Sequence, residues 1–130
     1  MPEVVAMPRH GVATDCTRVG RVLARIGDKW TVLVVRQLAE GPRRFSELKR
    51  EIGGVSQRML TLTLRGLERD GFVIRTVTPT IPPRVDYELT FLGHSLREPI
   101  EELGNWAFAH IDAIDEPQRE FDARAGSEPS

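Results

Sequence analysis

Residues 55–71 read VSQRMLTLTLRGLERDG, a segment with both ends and one face marked. Ser56 suits a helix start, because its hydroxyl oxygen can accept from an N–H that the first turn leaves unpaired. Leu60, Leu64 and Leu67 recur at spacings of four and three, the period of one helical face. Asp70-Gly71 closes the segment, with glycine supplying the left-handed residue that a helix end often uses. The leucines predict a buried side. Gln57, Arg58, Thr61, Leu62 and Arg65 fall on the opposite one.

Outward from this helix the period changes. Residues 72–77 are β-branched and strand-like, residues 78–83 hold three prolines that cannot serve a ladder, and residues 85–89 alternate apolar with charged. Two strands with a proline-rich tip predict a protruding hairpin over 72–90. Upstream, Phe45, Leu48 and Ile52 predict a short helix ended by Gly53-Gly54. Before it, Asp28 caps a helix whose apolar side is Trp30, Leu33, Val34 and Leu38, stopped by Gly41-Pro42. Val19, Val22, Leu23 and Ile26 give one more helix, and residues 1–15 are expected as a flexible arm. Downstream, Thr90 caps a last long helix with the stripe Leu92, Leu96, Ile100, Leu103, Ala107 and Ile111, Trp106 beside it, and a kink or break at Pro99. Residues 116–130 are expected as an acidic tail with a frayed end, leaving 16–115 as the domain.

With 130 residues, 40% hydrophobic and 28% charged, the chain is sized for one globular domain and excludes full disorder. It has no run of about 20 apolar residues and no secretory signal, so a cytoplasmic protein with no membrane partner is expected. One cysteine and three scattered histidines (His10, His94, His110) exclude an internal disulfide and argue against a metal site. The net charge of −1 is unevenly spread: +2 over residues 1–40, +5 over 41–85 and −8 over 86–130. A basic middle beside an acidic end points the middle toward a polyanion.

Helix, helix, short helix, capped helix, hairpin and helix is the order of a winged helix-turn-helix, a mainly α fold with a small β-hairpin. A helix fits the major groove, where base edges are distinguishable, so the helix over 56–70 is the candidate reader. Ser56, Gln57, Arg58, Thr61, Leu62 and Arg65 are its candidate DNA contacts. Arg58 is expected at bases, because the N-terminal half of such a helix enters the groove, and Arg65 at phosphate. Arg43, Arg44 and Ser46 begin the short helix, whose positive end favours phosphate. Arg84 is the wing's charge for flanking backbone or minor groove. Lys49 and Arg50 are weaker candidates. Trp30 and Trp106 are expected in core or dimer packing, and Tyr87 beside the sheet.

The same residues carry a family resemblance. Ile26-Gly27-Asp28-Lys29-Trp30, Gly41-Pro42-Arg43-Arg44-Phe45-Ser46-Glu47-Leu48, Val55-Ser56-Gln57-Arg58-Met59-Leu60, Leu64-Arg65-Gly66-Leu67-Glu68-Arg69-Asp70-Gly71 and Pro82-Pro83-Arg84-Val85-Asp86-Tyr87-Glu88-Leu89-Thr90 together resemble the HxlR-type regulators, a MarR-related winged-helix family. The resemblance spans roughly residues 16 to 110. Two departures stand out: Cys16-Thr17 where the family often has Cys-Pro, and Gly27-Asp28-Lys29-Trp30 where Gly-Gly-Lys-Trp is usual.

The resemblance implies a homodimeric transcription regulator that binds double-stranded DNA. Its recognition helix and wing would be those described above, and its N- and C-terminal helices would form the dimer. Val19, Val22, Leu23, Ile26, Leu103, Trp106 and Ile111 are then the candidate interface. A repressor on a pseudo-palindromic operator, with half-sites roughly 34 Å apart, is expected. Some family members sense oxidants through a cysteine near the first helix, which makes Cys16, beside Arg18 and Arg21, the candidate redox sensor. A small molecule or an oxidant is the expected effector. No nucleophile–base constellation, phosphate loop or metal cluster is legible, so neither an enzyme nor a cofactor is expected. The alternative is a winged-helix protein-interaction module without specific DNA binding.

Overall fold

The computed structural model describes residues 13–127. In chain order they form α1 (Ala13–Ile26), α2 (Lys29–Leu38), β1 (Arg43–Arg44), α3 (Phe45–Ile52), α4 (Gln57–Arg69), β2 (Val73–Thr78), β3 (Arg84–Leu89), α5 (Phe91–Ser95) and α6 (Arg97–Ser127). This is a winged helix-turn-helix. Short polar side chains set its joints: Asp28 Oδ2 accepts from Thr31 N–H at 3.0 Å, Ser56 Oγ from Met59 N–H at 3.0 Å and Thr90 Oγ1 from Gly93 N–H at 3.0 Å. Each bond satisfies a donor that the first helical turn leaves open.

Helix α4 ends as its sequence suggests. Gly71 takes φ +82°, Gly71 N–H donates to the Glu68 carbonyl at 3.1 Å, and Phe72 N–H donates to the Leu67 carbonyl at 2.9 Å. That pair of bonds is a Schellman closure, which turns the chain directly into β2. Strand β3 is central in a three-stranded antiparallel sheet of order β1-β3-β2. Its register sets Val73 opposite Leu89, Arg75 opposite Tyr87 and Thr78 opposite Arg84. The third strand is an addition to the expected hairpin: Arg43 pairs with Tyr87 and Arg44 with Asp86. Two residues are too few to show an alternation, so β1 has no signature of its own.

The core lies between α2, α3, α4 and the sheet, built on Val34, Val35, Leu38, Leu48, Leu60, Leu64 and Leu67 with Phe72, Val73, Tyr87 and Leu89. Each such side chain contributes about 1.5–3 kcal/mol on burial. Helix α2 is rotated from the expected face. Thr31 and Val35 are buried beside Val34 and Leu38, while Leu33 and Trp30 are only half-buried. The stripe on the last helical region is divided too, with Leu96 and Ile100 buried and Leu92 and Leu103 exposed.

Two expectations need correction, and a third holds. The last helical region breaks beside Pro99: α5 ends at Ser95, α6 begins at Arg97, and Pro99 sits in the first turn of α6, where its missing N–H costs nothing. The proline inside α6 is Pro117. The acidic residues past Glu116 continue α6 to Ser127, in a stretch rich in Glu, Gln, Arg and Ala, which are good helix formers. Of the arm expected over 1–15, residues 1–12 lie outside the described residues, as do 128–130, and α1 already begins at Ala13.

Candidate nucleic-acid interface

Helix α4 buries Leu60, Thr63, Leu64 and Leu67, and that fixes what it shows outward. Gln57, Arg58, Leu62 and Arg65 are exposed, and Thr61 is half-buried. From Gln57 to Arg65 the helix carries no acidic residue. Two hydroxyls of the candidate contacts are already engaged within the helix. The Ser56 oxygen is the cap, and Thr61 Oγ1 donates to the Gln57 carbonyl at 2.8 Å. Thr61 therefore retains only acceptor capacity toward a ligand. Leu62 offers an apolar surface of the kind that meets a thymine methyl.

The neighbouring elements bring predicted residues together at two places. Arg44, Ser46 and Arg84 line one depression of about 680 Å³ between the start of α3 and the hairpin tip. Thr61, Arg65 and Arg75 line a smaller cleft between α4 and the sheet, with Glu68 and Tyr87. Arg75 is the residue that sequence reasoning left out. Its signal was available, because alternation along β2 puts Arg75 on the same side of the strand as Val73, and its register partner is Tyr87.

The two arginines of β1 differ sharply. Arg43 is held inward: Nε lies 3.3 Å from Glu51, Nη2 3.5 Å from Glu40, and Nη1 donates to the Pro42 carbonyl at 2.9 Å. Its side chain is 22% exposed. Arg44 is exposed, and its backbone N–H donates to Glu47 Oε1 at 3.0 Å. The carboxylate of Glu47 thus already faces the positive end of α3. An anion there would meet Arg44 and exposed Ser46 rather than an open helix terminus. Arg84 opens β3 rather than capping the tip, and its Nε bonds Asp86 at 3.0 Å while the side chain stays half exposed. The tip itself presents Ile81, fully exposed. Lys49 and Arg50 stand exposed in the last turn of α3.

Away from this face, α1 and α6 show apolar side chains to solvent. Val22, Leu23, Leu103 and Ile111 are exposed, as is Trp106 at 57%. Trp106 stacks on His110, with centroids 4.5 Å apart. Val19 is half-buried, and Ile26 packs partly on the core of its own chain. Sequence reasoning did not single out Phe108 and Phe121, which are exposed on α6 as well. Cys16 is a free, exposed thiol in the early part of α1. Among the described residues no group of His, Cys, Asp and Glu could hold a metal, and no helix is long and apolar enough to cross a membrane.

Comparison with known proteins agrees with this geometry. The family described as HxlR-like helix-turn-helix matches residues 25–115. The uncharacterized HTH-type transcriptional regulator YtfH of Escherichia coli is 46% identical over 93 residues, which cover 72% of this chain and 74% of that protein. Among solved structures, the transcriptional regulator ytfH from Salmonella typhimurium superposes with a TM-score of 0.69 at 38% identity, covering 78% of this chain and 90% of that one. The redox regulator HypR in its reduced form gives 0.69 at 36% identity, covering 76% and 98%.

Proposed function

The chain belongs to the HxlR-like helix-turn-helix family of transcriptional regulators, and from that premise we propose that it is a homodimeric repressor binding a pseudo-palindromic operator. The observation that carries the reading is the outward face of α4: Gln57, Arg58, Thr61, Leu62 and Arg65 on a capped helix with no acid among them. This helix enters the major groove, Arg58 reads a base, and Arg65 with Arg75 takes phosphate. Arg44, Ser46 and Arg84 hold the flanking backbone, and Ser56 contributes by fixing the helix start. Arg43 is the least available of the candidates, because three oxygens already hold it. The exposed Val22, Leu23, Leu103, Trp106 and Ile111, with Val19 and Ile26 at their margin, support dimerisation through α1 and α6.

The exposed thiol of Cys16 and the likeness to HypR, a redox regulator, support an oxidant as effector. Oxidant lowers operator affinity in this reading, and a Cys16→Ser protein with an undiminished oxidant response would end it.

The test is fluorescence anisotropy on the DNA upstream of the protein's own gene, with a scrambled duplex beside it. A preference of about 1000-fold or more is expected of a specific regulator. Transcription from that promoter rises when the protein is removed. Equal, weak binding to both duplexes favours a protein-interaction module instead.

A further inference from the structure

Glycine is a poor choice inside a helix, yet Gly66 stands within α4 at a half-buried position. The reason comes from α1. The Arg25 side chain, in the last turn of α1, crosses to α4 and lies over Gly66 so closely that a methyl group there would overlap its guanidinium carbon and both terminal nitrogens. Its Nε donates to Asp70 Oδ2 at 2.8 Å, and Asp70 is the residue that ends α4. Both side chains are about two-thirds covered, at 29% and 31% exposure. A flat cation is thus seated on a bare patch of helix and pinned at the helix end. A planar guanidinium fits such a slot better than a point charge on a flexible stem does.

We propose that Arg25 is a positioning residue for DNA recognition: seated on Gly66 and paired with Asp70, it sets the angle of α4 relative to α1. The inference rests on the operator-binding reading above. In a dimer joined through α1, the α1–α4 angle fixes how two recognition helices meet two half-sites. Tilting α4 costs base contacts, which need alignment, and leaves the general attraction to phosphate in place.

Gly66→Ala is the sharpest variant, because only the flexible end of Arg25 must move to admit the methyl. Arg25→Gln is its partner. Spin labels on Cys16, the sole cysteine, and on Leu62→Cys report the α1–α4 distance without DNA, after exchange with excess unlabelled chains to suppress signals between protomers. Both variants are expected to broaden or shift that distance. Without the labels, each is expected to lower affinity for the upstream duplex about ten-fold, the size of one misread base pair, with the scrambled duplex bound as before. An unchanged distance distribution overturns the proposal. So does an equal loss on both duplexes, which would make Arg25 a general charge or stability residue. A parent protein with no preference for its upstream DNA refutes the operator reading instead, and the label distances then still decide the positioning.

Discussion

Arg43 and Arg44 are neighbours in sequence and opposites in the structure, and replacing each by glutamine separates their roles. Arg44 is exposed beside Ser46 and Arg84, and it is free to neutralise a phosphate. One neutralised phosphate contributes about −0.9 to the slope of log K against log salt. A symmetric dimer presents Arg44 twice, so Arg44→Gln should make the slope shallower by about 1.8. Taken from a 1 M reference to about 0.15 M salt, each release is worth about 1 kcal/mol, so the dimer loses about 2 kcal/mol, or about 30-fold in affinity. The loss should be the same on operator and scrambled DNA, because phosphate carries no sequence. Arg43 instead ties Glu40, Glu51 and the Pro42 carbonyl together. Arg43→Gln should leave the slope unchanged and lower unfolding stability by about 1 kcal/mol or less, as befits a partly exposed pair. The assay is anisotropy titration at several KCl concentrations, with urea unfolding alongside. A slope for Arg44→Gln that matches the parent, or an equal drop for Arg43→Gln, refutes the assignment.

Arg58→Ala should cost about 1–3 kcal/mol on the operator and little on scrambled DNA, and competition with single-base operator variants would show relaxed preference at one position. A loss equal on all duplexes would move Arg58 to the backbone. Ser56→Ala removes the acceptor for Met59 N–H and should lower stability by about 1 kcal/mol in urea unfolding, where an unaltered midpoint would mean that water replaces the cap without loss. Gly93→Ala should be worse, because its methyl would overlap the Phe72 carbonyl, the acceptor of Thr90 N–H at 3.0 Å, and press on the Leu89 side chain. About 2 kcal/mol or more of overpacking is expected, and a parent-like unfolding midpoint would show that the backbone at Phe72 yields freely there.

The features legible in the sequence are those closed over a few residues. The caps at Asp28, Ser56 and Thr90 each bond an N–H three positions on, and Gly71 closes α4 against Leu67 and Glu68, so a short window holds both partners. The leucine spacing of α4 likewise decides which side is buried and hence which residues face outward. What crosses between elements was not legible. Glu51 reaches Arg43 from eight residues away, Asp70 reaches Arg25 from forty-five, and no pattern in either segment names the other. The rotation of α2 toward Thr31 and Val35 depends on the helices packed against it, and β1 exists only because β3 lies alongside. Pro99 and Pro117 look alike in sequence, and the helix break at Leu96 puts one in a first turn and the other in a helix interior. The sequence alone fixes the helix ends, the hairpin and the outward face of α4, because those follow from hydrogen bonds and periods within a few residues. That Arg43 is tied to carboxylates while Arg44 stands exposed comes from the packed fold, because a charge's partner is set by packing between segments far apart in the chain.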